Sequence, residues 1–168
     1  MRPIRNGKIP FAVLVMWTAC LLPGCSGIKP YPSTGDINLH LYTITDSGSF
    51  LSRIHVAVDI HRVESDCTTD YEGTVQLSQP TIDVGIPPNR WTQLVFVFES
   101  STFLANRRGM ITYDTLLKPR AGYQYQIAVS YKNDIYHVTI RETPPDQSAG
   151  LEMERHPLSA CRLASPRK

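Results

Sequence analysis

Ile54, Val56, Val58 and Ile60 alternate without a break with His55, Ala57, Asp59 and His61. This period of two constrains the chain more than any other feature. In a strand it puts the first set on one face and the second on the other, and no helix sorts these residues in that way. Leu39 and Leu41 in INLHLYTI alternate likewise. RWTQLVFVFES is apolar on both faces near Val95 to Phe98, as expected of a strand crossing the middle of a two-layer core. Tyr123, Tyr125, Ile127, Val129 and Tyr131 alternate again, and KND at 132–134 separates them from IYHVTI, which reads as a hairpin. GTVQLSQ, TIDVGI and GMITYDTL add shorter strands. STFLANRR and GLEMERH are each read as at most a helical turn, being too short for more. Seven or eight strands with turn residues between them and no long helix predict an all-β sandwich over residues 37–163, with 164–168 as a loose tail.

One stretch refines the topology. LLKPRAGYQYQIAV resembles the corner of fibronectin type III, immunoglobulin-like and transthyretin-like sandwiches, where a Leu-x-Pro loop leads into a tyrosine-bearing strand. The resemblance implies a Greek-key sandwich, immunoglobulin-like or transthyretin-like. It also implies that the hydroxyl of Tyr123 or Tyr125 returns to the backbone of the preceding loop, so that a ring is buried without stranding its polar atom.

The chain opens with Arg2, Arg5 and Lys8, then FAVLVMWTACLL, then Pro23 and Gly24. Basic, apolar and small-residue regions in this order are those of an export signal. The apolar run spans about 18 Å as a helix, against roughly 30 Å of hydrocarbon, so it is read as a cleaved leader, residues 1–24, and not as an anchor. Leu22-Pro23-Gly24-Cys25 resembles the lipobox of bacterial lipoproteins. That resemblance implies a diacylglyceryl thioether on Cys25, cleavage before it, and acylation of the new amine. Several acyl chains at about 0.8 kcal/mol per buried methylene would make a lasting anchor in the membrane. The residue after the cysteine is Ser26 and not the aspartate that tends to retain lipoproteins at the inner membrane, so the resemblance implies the outer membrane of a Gram-negative cell, facing the periplasm. Residues 25–36, containing SGIKPYPSTG, have the composition of a tether.

Without the leader, 17 basic residues less three leaves 14 against 15 acidic, a near-neutral chain with no electrostatic footprint for nucleic acid. Two cysteines remain in the domain, Cys67 and Cys161. An even count in an oxidising compartment predicts a disulfide between them, worth about 4 to 5 kcal/mol in the loop-entropy account and pinning the C-terminal stretch to the body. A metal or nucleophilic pair would need neighbouring Cys or His ligands that the spacing does not supply.

Catalytic signatures are missing: there is no GxSxG, HExxH, phosphate-binding glycine loop or dinucleotide fingerprint, and no cofactor is expected. One constellation invites chemistry. If 37–45 and 53–63 pair antiparallel across DSGSFL, His40 sits opposite Asp59 with His61 one pleat along at about 7 Å, a spacing suited to a transition metal or a carboxylate-held histidine. The same residues are what alternation puts on any solvated strand face. Tyr123, Tyr125, Tyr131 and Tyr136 form either an outward ladder for a protein or glycan partner, or core; Ile127 and Val129 share their parity and favour core. The loops FLANRRG and TIDVGIPPNR offer Phe103, Leu104, Arg107, Arg108 and Arg90, which combine apolar and guanidinium groups as interfaces do. Two function classes follow: a non-catalytic, lipid-anchored module binding another envelope protein or glycan, or a small envelope enzyme or enzyme inhibitor working through polar loops.

Overall fold

Leu94, Phe96 and Phe98 on one sheet face Leu39, Leu41, Tyr125, Ile127 and Val129 on the other, all at most 1 % exposed. Each inward side chain of this size contributes about 1.5–3 kcal/mol by leaving water. The computed structural model describes residues 27–45, 52–102, 107–132 and 135–161. Among them lie β1 (Leu39–Thr45), β2 (Ser52–Val63), β3 (Thr69–Gln76), β4 (Thr81–Val84), β5 (Thr92–Thr102), β6 (Arg107–Leu117), β7 (Gln124–Lys132), β8 (Ile135–Thr143) and β9 (Leu151–Glu152). A 3-10 turn, Leu158–Ala160, follows. The nine strands form an all-β sandwich of two sheets, ordered β4-β1-β7-β8-β9 and β3-β2-β5-β6.

The pairing expected between 37–45 and 53–63 does not form. β1 and β2 occupy different sheets: β1 runs parallel to β7 and antiparallel to β4, whereas β2 pairs with β3 and β5. Alternation dictates which residues of a strand face inward but not which strand lies beside it. The connection 46–51 is longer than a tight hairpin and can cross the roughly 10 Å between packed sheets. In immunoglobulin constant-type order the first two strands share a sheet. The separation of β1 from β2 departs from that order.

The tyrosine corner is present and belongs to Tyr125. Its hydroxyl accepts from the Arg120 backbone N–H at 2.9 Å and donates to Glu142 Oε1 at 2.7 Å, while the ring is fully buried. Burial, reinforced by the bond to Glu142, pushes the phenol well above its ordinary value. Asn38 does a similar service at the start of β1: its amide donates to Ile86 O at 2.8 Å and accepts from Ile86 N–H at 2.9 Å, tying the β4–β5 connection to the sheet.

Two segments outside the main ladders pack on the body. In the stretch expected as a tether, Lys29 O accepts from Thr74 N–H at 2.8 Å and Tyr31 N–H donates to Thr74 O at 3.0 Å, so the chain is fastened to β3 from Lys29 onward. Contact is this close because β3 carries glycine at 73, with φ of 152°; a Cβ there would lie 2.6 Å from Tyr31 Cα. The register between β2 and β3 shifts beside the same glycine, between Ile60 and His61. The second segment is GLEMERH, which forms no helical turn. Leu151 and Glu152 pair with β8, and the chain then crosses to β6, where Leu116 N–H donates to His156 O at 2.7 Å. It ends at Cys161, bonded to Cys67 in the β2–β3 connection. This strap lies over the outer face of the second sheet near Gln93 and Leu116, which are each 7 % exposed.

Candidate functional site

Strand directions divide the sandwich into two ends. The incoming segment 27–38 and the β2–β3, β4–β5, β6–β7 and β8–β9 connections lie at one end, together with the strap and the disulfide. The last residues of β1, β5 and β7 and the first of β2, β6 and β8 lie at the other, distal end. Near it are Ile44, Met110, Ile111 and Ile135, which are 66 %, 68 %, 50 % and 67 % exposed. Just beneath them inside the sandwich, the ring of Tyr136 lies 4.5 Å from Phe98 and 4.6 Å from Tyr131. Alternation sets Ile44 and Ile135 on the outer face of the first sheet and Met110 on that of the second, with Ile111 turned inward, so the distal end is flanked by exposed apolar groups suited to contact with another apolar surface.

The described residues of the two stretches expected to carry recognition fall at opposite ends. Arg107 and Arg108 open β6 at the distal end, opposite Thr102 and Ser101 of β5, while Phe103 and Leu104 lie outside the described residues. Arg90 sits at the entry end, where its guanidinium donates to Glu72 Oε2 at 2.6 Å and the two side chains are 29 % and 22 % exposed. That engagement gives Arg90 a structural role, because the pair fixes the β4–β5 connection against β3. The ordinary value of the neighbouring Tyr31 phenol is raised, first by burial and then by the Glu72 carboxylate.

His40, Asp59 and His61 do not meet. His40 is on the outer face of the first sheet, with Nδ1 2.7 Å from Asp83 Oδ1 and Nε2 2.9 Å from Gln124 Oε1. Asp59 and His61 are on the outer face of the second sheet, across the whole sandwich. There the Thr74 hydroxyl donates to Asp59, and His61 lies with its ring 5.4 Å from Tyr71. The expected constellation rested on a β1–β2 pairing that the fold does not use. Among the described residues, no group of three His, Cys, Asp or Glu is gathered as metal ligands.

Cys67 and Cys161 form the expected disulfide, with Cα atoms 6.1 Å apart, and Cys25 lies outside the described residues. The tyrosine ladder is core at its centre: Tyr125, Ile127 and Val129 are at most 1 % exposed. Tyr123, at the entry end, is half-buried beneath the Arg120 guanidinium, 5.2 Å from its ring.

Sequence reasoning missed the polar network of the strap. Asp114 accepts from Arg155 Nη2 at 2.8 Å and from the Leu158 backbone N–H at 2.9 Å. Burial alone would raise this carboxyl, but these donors outweigh it and hold it below its ordinary value. The Arg155 guanidinium also lies 4.5 Å from the Tyr113 ring. Shallow clefts at the entry end were equally invisible. One of about 450 Å³ is bounded by Trp91, Lys118, Glu142 and His156, and the Lys118 ammonium sits 5.8 Å from the Trp91 ring. The residues of each cleft come from connections far apart in sequence, so no local signal announces them. No protein-family profile matches the chain, and comparison with curated proteins finds no match.

Proposed function

We propose that the protein is a lipid-anchored envelope module that acts by binding, held through Cys25 on the periplasmic side of an outer membrane and presenting its distal end to another envelope component. The direction of the chain carries this reading. The chain enters at one end, where Ile28, Ile37 and Leu151 are exposed, and Ile44, Met110, Ile111 and Ile135 are exposed at the other, the end that an anchor leaves free. An acyl anchor at Cys25 would place the entry end toward the bilayer and the distal end away from it. Confinement to one membrane raises the effective concentration of any partner sharing that membrane, so a modest surface suffices.

The experiment has two arms. Intact mass of membrane-extracted protein should show a chain starting at Cys25 with added acyl mass, and Cys25→Ser should leave the membrane fraction. Photocrosslinkers at Met110 or Ile135 should trap one partner in cells, while a crosslinker at Asp146, at the entry end, should not. Full membrane retention of the Cys25→Ser variant would remove the anchor. Equal trapping at both ends, or at neither, would remove the distal surface. The enzyme alternative would replace the binding reading if the purified domain turned over an envelope substrate and lost that activity on His40→Ala, the residue already paired with Asp83.

A further inference from the structure

The free edge of β6 has a defined polarity. Leu116 N–H points away from β5, to His156 O at 2.7 Å, and Asp114 O points the same way, accepting from Arg155 Nε at 2.9 Å. In an antiparallel pair, a residue whose backbone groups turn from one neighbour turns both of them outward, and the pattern repeats every second residue. Thr112 and Met110 therefore direct their N–H and C=O groups out of the sheet. The strap stops at Asp114, and Gly109, Met110, Ile111 and Thr112 are exposed above it. Edges of this kind are commonly blunted by a bulge, a proline or a covering segment. Among the described residues 109–112 of β6 there is none.

The geometry points to a docking edge at residues 109–112 of β6 for an extended segment of another protein, added as a fifth strand with apolar residues at alternate positions. The strap shows what the edge accepts: an extended backbone already bonds to its lower half through His156 O, and the Arg155 side chain caps Asp114 O beside it. Apolar alternation follows from the inner side of the edge. Ile111 there is 50 % exposed and Tyr113 is half-buried, so the inward residues of an added strand would cover them. This inference rests on the binding role proposed above and supplies its class of partner.

The test uses the full mature chain and a ten-residue peptide of alternating valine and threonine, capped at each end by glutamate. Amide exchange at Met110 and Thr112 should slow at least about tenfold at saturating peptide, in line with new backbone bonds, while Ile111, already in the β5 ladder, stays unchanged. An N-methylated version of the peptide should have no effect. Thr112→Pro removes an outward N–H without touching the β5 ladder, since proline is tolerated where the N–H of an edge strand faces solvent. It should abolish peptide binding at an unchanged unfolding midpoint, and Thr112→Ala should retain it. Should Thr112→Pro fail to fold, the two peptides decide. The proposal is overturned if Met110 and Thr112 exchange no more slowly with peptide, or if both peptides act alike. It is overturned too if those amides are protected without peptide in a dimer, where a second copy would be the occupant. An edge that ignores the peptide while the Met110 crosslinker still traps its partner overturns the strand alone and leaves the binding role standing.

Discussion

Replacing both bridge cysteines, Cys67→Ser with Cys161→Ser, tests how the strap is held. With 94 residues of separation, loop closure alone assigns the bridge about 4.7 kcal/mol. The native state recovers part of this. Without the bridge, residues 153–161 are held to β6 mainly by the Leu116–His156 and Leu158–Asp114 bonds and the Arg155 contacts to Asp114. Such bonds contribute about 0.5–1.5 kcal/mol each, more where charged, whereas ordering each strap residue costs about 1–2 kcal/mol. The unbridged strap should detach while the sandwich remains folded, and the net loss should fall to about 2–4 kcal/mol, or a midpoint lower by about 10 °C. Urea unfolding followed by Trp91 fluorescence, with amide exchange at Leu116, reads both effects. A loss under about 1 kcal/mol with the Leu116 amide still slow to exchange would refute the reasoning, since the strap would then be self-sufficient.

Gly73→Ala should cost about 2 kcal/mol or more, because the new Cβ meets the Tyr31 backbone and φ of 152° strains any side chain; faster exchange at the Tyr31 amide would accompany it. Tyr125→Phe leaves the Arg120 N–H and a Glu142 oxygen unpaired and should cost about 1–3 kcal/mol in urea unfolding. Because the folded phenol of Tyr125 titrates above its ordinary 10.0, its stabilisation is complete below pH 10 and fades as pH rises beyond it, so the Phe variant should show a shallower alkaline loss of stability. Asp114 has the opposite sign: its depressed carboxyl stabilises the fold above its ordinary 3.8 and loses that contribution as pH falls below it. Asp114→Asn should therefore be destabilised at neutral pH and flatter than wild type in acid unfolding.

Local pattern, the resemblance carried by LLKPRAGYQYQIAV and the expected compartment were enough to read the faces of the strands, a corner at Tyr123 or Tyr125, and the disulfide. Val56, Val58 and Ile60 had to face inward because nothing else satisfies their alternation, and the bridge followed from two cysteines in a domain expected to be exported. Neighbours were a different matter. His40 meets Asp83, 43 residues away, because β1 inserts between β4 and β7, and no periodicity within β1 encodes that choice. GLEMERH carries no alternation of its own; its extended path is imposed by β6 and by Cys67. The apolar residues of the distal end were legible singly, but only the strand directions collect Ile44, Met110 and Ile135 at one end and send Arg90 to the other.

The early fastening of the chain at Lys29 turns a question of affinity into one of height. With an acyl anchor at Cys25, only residues 25–28 would stand between the lipid and the first bond to β3, a leash of roughly 14 Å when fully extended. The domain would then stand on the bilayer as a post and would not wander on a long tether. β2 and β5 run the length of that post, roughly 35–40 Å at about 3.3 Å per residue, so a partner at the distal end would be met at a nearly fixed distance from the membrane. Lengthening the leash by inserting residues after Gly27 would change that height without altering any surface of the sandwich.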